Sequence, residues 1–153
     1  AQVLRLRQDQ AAHLTFKAPG DVRGGVLERQ EIEFTVGDFA AARRFLEALG
    51  FSVYTSYEKY RETFLLGSVL VTLDEMPFGH LTELEGPSAP EIRAAARQLG
   101  LNWERRILTS YLELFAALKN RQGWDEPELS FEAFRGRQVS PADLGVEPAD
   151  TAD

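Results

Sequence analysis

The sequence predicts an α+β fold in which an antiparallel sheet or barrel carries its helices on the outside. Three observations point there. Apolar and polar residues alternate with period two in several short stretches, such as residues 3–8 and 13–17. Helical periodicity appears in only a few places. Neither pattern alternates regularly with the other, which argues against a parallel sheet built from βαβ units.

The elements follow in order. Residues 3–8 and 13–17 read as half-buried strands. Ala18-Pro19-Gly20-Asp21 and Gly24-Gly25 mark a loop. Residues 26–36 read as one long strand centred on Arg29-Gln30-Glu31-Ile32-Glu33-Phe34. Asp38 then stands as an N-cap before the apolar stripe Phe39, Ala42, Phe45, Leu46 and Leu49, and Gly50 supplies a left-handed end. Three strand-like segments follow, at 51–56, 57–66 and 68–74. Residues 75–79 turn, and 80–85 form another strand. Ser88 and Glu91 have capping-box spacing, with Pro90 in the first turn, and open a helix through Leu99. Ser110 and Glu113 repeat that spacing before a helix through about residue 119. Scattered aromatics follow from Gln122. After Gly136 the chain is rich in Pro, Asp and Ala with little to bury, and reads as a loose tail.

The bulk numbers narrow the function. The chain of 153 residues fits one domain, and 44% hydrophobic content is enough for a core. Its net charge of −7 disfavours nucleic acid duplexes and anionic membranes as partners. With no cysteine, disulfides and thiolate metal sites are excluded, and a cytoplasmic setting is the default. No apolar run approaches the roughly 20 residues of a membrane span. The chain opens Ala1-Gln2-Val3-Leu4-Arg5 without Met, inside or just before a strand, so further residues are expected upstream of it.

Alternate strand residues share a face, and the charges sort accordingly. Arg5 pairs with Arg7, Thr15 with Lys17, and Arg29 with Glu31 and Glu33. Lys59 pairs with Arg61, Thr72 with Asp74, and Glu83 with Glu85. Two builds satisfy this pattern. In one, the charges face water and the apolar side covers a core. In the other, the sheet closes with its charges inward. Crowded cations then need an anion, and crowded carboxylates need a metal. A Mg²⁺ or Mn²⁺ complex of a polyphosphate supplies both. His13 and His80 lack partners at metal-ligand spacing and read as surface or strand-edge residues. Tyr111 reads as core packing, with closure over a substrate as the sharper alternative.

The order of motifs resembles the CYTH family, named for class IV adenylyl cyclases and thiamine triphosphatases. The resemblance runs through Leu4-Arg5-Leu6-Arg7, Leu14-Thr15-Phe16-Lys17 and Arg29 with Glu31-Ile32-Glu33. It continues in Tyr57-Glu58-Lys59-Tyr60-Arg61, Leu73-Asp74-Glu75 and Thr82-Glu83-Leu84-Glu85-Gly86. It ends at Ser110-Tyr111 with Glu113-Leu114. The set spans residues 4–115, and its order is more specific than any piece. The resemblance implies a closed or nearly closed antiparallel barrel, the triphosphate tunnel. Its core would be residues 1–120, with 121–135 packed on it and 136–153 as the tail. Arg5, Arg7, Lys17, Arg29, Lys59 and Arg61 are implied to hold phosphate oxygens. Asp74, Glu83 and Glu85 are implied to form the metal cluster for Mg²⁺ or Mn²⁺. Glu31 and Glu33 would line the same tunnel, serving a second metal or orienting the cations. The family's N-terminal Glu-x-Glu-x-Lys strand is not found in the chain; it is expected upstream, and its loss would leave the barrel unable to close in the usual way.

Three functions compete on these residues. The first is metal-dependent hydrolysis of a triphosphate: inorganic, thiamine or nucleoside. The second is a class IV adenylyl cyclase that makes cyclic AMP and pyrophosphate from ATP. The third is a non-catalytic polyphosphate-binding module. A plain anion binder gains nothing from three carboxylates, which favours an enzyme. Hydrolysis ranks first because a cyclase must also hold adenine and aim the ribose. The expected partner is a triphosphate-containing small molecule, and a homodimer is compatible with the sequence.

Overall fold

A computed structural model describes residues 2–150 of the chain. They form two compact units that divide between Tyr54 and Thr55. The whole is α+β, with antiparallel sheets and, among the described residues, four α-helices. No sheet closes into a barrel among the described residues.

In the first unit, β1 (Val3–Gln8), β2 (Ala12–Lys17) and β5 (Glu31–Val36) form an antiparallel sheet with β2 in the middle. Arg5 stands opposite Thr15, which stands opposite Glu33; Lys17 stands opposite Glu31. This register gathers Arg5, Arg7, His13, Thr15, Lys17, Glu31 and Glu33 on one face. Leu4, Leu6, Leu14, Phe16, Ile32 and Phe34 take the other. The alternation seen in the sequence therefore becomes a charged side and an apolar side.

The single long strand expected at 26–36 is two strands. β4 (Val26–Glu28) pairs with β3 (Asp21–Arg23) in a tight hairpin. Its turn, Gly24-Gly25, has φ of 59° and 81°, which glycine adopts without a Cβ clash. The break falls at Arg29-Gln30, where the Gln30 carbonyl accepts from the Ala18 N–H at 2.9 Å. Periodicity could not see the change of partner strand. α1 (Phe39–Ala48) starts as expected, with the Ala41 N–H donating to Asp38 Oδ1 at 2.9 Å. It touches β1 but buries none of its residues fully, and Phe45 stays 62% exposed.

The expected strand at 51–56 does not form. Ser56 instead accepts from the Leu129 N–H at 3.0 Å, and the Glu58 N–H donates to Leu129 at 2.9 Å. In the second unit β6 (Tyr60–Leu66), β7 (Val69–Met76) and β8 (Gly79–Glu85) make an antiparallel meander with β7 central. α2 (Ala89–Gln98) lies against β7 and β8. Gly86 permits that approach, because a Cβ there would stand 3.0 Å from Val69 Cγ2 and 3.1 Å from Ile92 Cγ1. α3 (Tyr111–Gln122) carries a complete Ser110–Glu113 capping box and ends at Gly123.

The core of this unit joins Met76 and Phe78 to Leu114, Phe115 and Leu118 of α3, and to Leu129, Phe134 and Leu144. Leu118 and Leu129 have no exposed surface. The stretch after Gly136 was expected to bury little, yet α4 (Pro141–Leu144) places Leu144 in this core, with Val139 and Val146 against it. Three apolar residues scattered among Pro and Asp give no period to read. The last three residues of that expected tail lie outside the described residues. Among the described residues, no helix is long and apolar enough to cross a membrane.

Candidate functional site

The charged face of the first unit is organised around two carboxylates. Glu33 accepts from the Thr15 hydroxyl at 2.5 Å and from Arg5 at 3.4 Å, and pairs with Arg7 at 3.5 Å. Thr15 has no exposed surface. Its hydrogen bond is the first cause of a Glu33 carboxyl held below its usual pKa; burial opposes this, and the charges of Arg7 and Arg5 add to it. Glu31 accepts from Lys17 Nζ and from Arg29 Nε, both at 2.8 Å. Burial pushes the Glu31 carboxyl up, but the Lys17 and Arg29 hydrogen bonds outweigh it and the pKa is lowered. Arg29 sits in the break between β4 and β5, yet still reaches Glu31 across two residues. Four predicted phosphate-binding cations and both predicted tunnel carboxylates are thus together on one face.

His13 differs from its expected surface or edge position. It lies on the central strand of that sheet, 3.7 Å from Glu33 and 3.6 Å from Asp9. His80 is exposed on the edge strand β8, as expected.

The second unit holds the tightest cluster. Asp74 is 1% exposed on the central strand. Arg61 stands opposite it on β6 and forks onto it, with Nε 2.6 Å from Oδ1 and a terminal nitrogen 2.5 Å from Oδ2. Lys59 Nζ donates to Oδ2 at 2.9 Å, and the Tyr111 hydroxyl donates to the same oxygen at 2.6 Å. These four donors converge on one carboxylate, three on Oδ2 and one on Oδ1. Burial alone would raise the Asp74 pKa, but hydrogen bonds from Arg61, Tyr111 and Lys59 bring it down to about 2. Burial also raises the Tyr111 pKa, reinforced by the Glu83 and Asp74 charges. Burial disfavours a charged Arg61, but Asp74 and Glu83 hold its guanidinium protonated more firmly than usual.

Glu83 also pairs with Arg61. It shares a face with Asp74, one rung away, because Thr72 stands opposite Glu83. Glu85 follows on the same face opposite Leu70, exposed at the end of β8. Among the described residues no three acidic or histidine groups gather as a metal site. The donors nevertheless suit a hard divalent cation, since Asp74, Glu83 and Thr72 offer oxygens on one face. Thr72 is 1% exposed, and its hydroxyl is buried without a hydrogen-bond partner.

The sequence named Lys59, Arg61, Asp74 and Glu83, which the fold brings together, but gave Thr15 and Thr72 no role of their own. It read Tyr111 as core packing, with closure over a substrate as the alternative, not as a partner of Asp74. Thr15 and Thr72 each share a strand face with a named charge, which was the available signal. Tyr111 lies 37 residues from Asp74, beyond any local period. Arg137 stacks over Trp124 and Phe134 and pairs with Glu126, a structural role within its own unit.

A model of the CYTH domain matches residues 1–111. That places the chain in the triphosphate tunnel metalloenzyme superfamily, whose members are often enzymes and in general metal-dependent. Among solved structures, a conserved hypothetical protein from Pyrococcus furiosus is 28% identical, with a TM-score of 0.62, covering 73% of this chain and 74% of its own. The PH1012 protein from Pyrococcus horikoshii OT3 is 27% identical, with a TM-score of 0.63, covering 73% of each chain. No curated protein matches the chain. The motif order, the α+β architecture and the matched span agree: this chain belongs to the CYTH-domain family.

Proposed function

We propose that the chain binds a triphosphate together with Mg²⁺ or Mn²⁺ and hydrolyses it. The observation that carries this reading is the Asp74 cluster, where one buried carboxylate organises Lys59 and Arg61 beside Glu83. Burying the Asp74 carboxylate against two partly buried cations costs more than an apolar core of equal volume would. A functional site explains why the sequence bears that cost.

In this reading Arg5, Arg7, Lys17, Arg29, Lys59 and Arg61 take phosphate oxygens. Arginine offers paired donors and lysine a movable point charge. Each cation is now held by a carboxylate, so an entering anion exchanges one negative partner for another. Asp74, Glu83 and Glu85 would hold the metal, and Glu31 and Glu33 would orient the cations or serve a second ion. A bound Mg²⁺ or Mn²⁺ supplies neutralisation of phosphate charge. The chain's own cations position the phosphates and stabilise charge as water attacks the terminal phosphorus and its bond to the leaving oxygen breaks. The closed barrel expected from the sequence is part of the same proposal.

The test is turnover of inorganic triphosphate and ATP with each metal, following phosphate, pyrophosphate and cyclic AMP together. Phosphate release supports hydrolysis. Cyclic AMP with pyrophosphate would instead make the chain a cyclase. Bound triphosphate without turnover would make it a binding module.

A further inference from the structure

Resting on the triphosphate reading above, we propose that Tyr111 is a positioning residue whose hydroxyl keeps Asp74 aimed when its cationic partners are drawn to phosphate. Among the described residues Asp74 is held by Arg61, Lys59 and Tyr111, and of these three Tyr111 is the neutral one. An arriving triphosphate competes for the two cations, because they are the groups that carry charge to neutralise it. It has no comparable claim on a phenol. When Arg61 and Lys59 turn toward phosphate, Asp74 regains free lone pairs for a metal. A carboxylate that is 1% exposed cannot lose all its donors without a large penalty. The 2.6 Å bond from Tyr111 remains and fixes the side chain's direction.

The placement of Tyr111 is itself rigid. It is the first residue of α3, directly after Ser110, whose side chain and that of Glu113 close the capping box. Leu114, Phe115 and Leu118 of the same helix are buried in the core. The phenol therefore reaches Asp74 from a helix that the core holds still. The ring also lies under Lys59, with Nζ 5.2 Å from its centroid, so it guides the direction in which that ammonium can leave.

The discriminating variant is Tyr111→Phe in the full chain, because it keeps the ring and removes only the hydroxyl. Two affinities are measured: inorganic triphosphate in EDTA by calorimetry, and Mn²⁺ in the presence of triphosphate by electron paramagnetic resonance. The thermal midpoint is recorded beside them. The expected result is Mn²⁺ affinity lower by about tenfold, with triphosphate affinity in EDTA within about twofold of wild type. Unchanged Mn²⁺ affinity overturns the proposal. Both affinities falling together with the thermal midpoint also overturn it, since that is what a purely structural tyrosine would do. If the wild-type chain binds neither probe, the triphosphate reading itself fails.

Discussion

Arg61 meets both oxygens of Asp74 at once, with Nε 2.6 Å from Oδ1 and a terminal nitrogen 2.5 Å from Oδ2. The register of β6 and β7 makes this possible by setting the two residues directly opposite each other. Removing the guanidinium leaves a buried carboxylate with only Lys59 and Tyr111. Arg61→Ala is therefore expected to cost about 3 kcal/mol at neutral pH, read from urea unfolding. A loss below about 1 kcal/mol would place the pair among surface ion pairs instead.

The same cluster sets an acid sensitivity. The folded Asp74 pKa is lowered from 3.8 to about 2, so its contribution is complete above the unfolded value. It is lost as pH falls from near 4 through about 2, and amounts to roughly 2 kcal/mol. Asp74→Asn should flatten that part of the stability profile between pH 5 and pH 2, apart from the acid loss of the other carboxylates held below their usual pKa, Glu31, Glu33, Asp9, Glu91 and Asp143. An unchanged slope in the variant would show that other carboxylates carry the effect.

Thr15→Val tests the other charged face. The substitution keeps shape and removes the 2.5 Å donor to Glu33 at a position with no exposed surface. The expected cost is about 1.5 kcal/mol, with a raised Glu33 pKa visible by NMR titration. An unmoved Glu33 titration would contradict the role assigned to the hydroxyl.

Leu144→Ala should destabilise the second unit by about 2 kcal/mol, because the side chain is 7% exposed within the core. A neutral result would restore the view of this stretch as a loose tail.

Glu85→Ala should abolish metal-dependent turnover and change stability by no more than about 0.5 kcal/mol, since the side chain is exposed at a strand end. Full activity with manganese would remove Glu85 from the metal set.

The strands with clean alternation were legible, and so were the three long helices with their caps. β1 and the α1 cap at Asp38 are where the residues place them. What was not legible depended on which partner each stretch finds. Residues 26–36 look continuous because no turn residue interrupts them, but the first piece closes a local hairpin with β3 and the second pairs with β2. Residues 56–58 look extended, yet their partner is Leu129, more than seventy positions away. The site follows the same rule. Charges on one strand could be grouped by parity, which found Arg5 with Arg7 and Lys59 with Arg61. The phenol of Tyr111 on Asp74 needed the packing of α3, which no local pattern contains.

The most direct measurement is calorimetric titration of inorganic triphosphate into the chain, first with EDTA and then with Mn²⁺. The predicted result is saturable binding in EDTA that is lost in Arg61→Ala and tightened by Mn²⁺ in the wild type. Absence of binding in both conditions, with the chain folded, would contradict the assignment of these charged faces to a triphosphate.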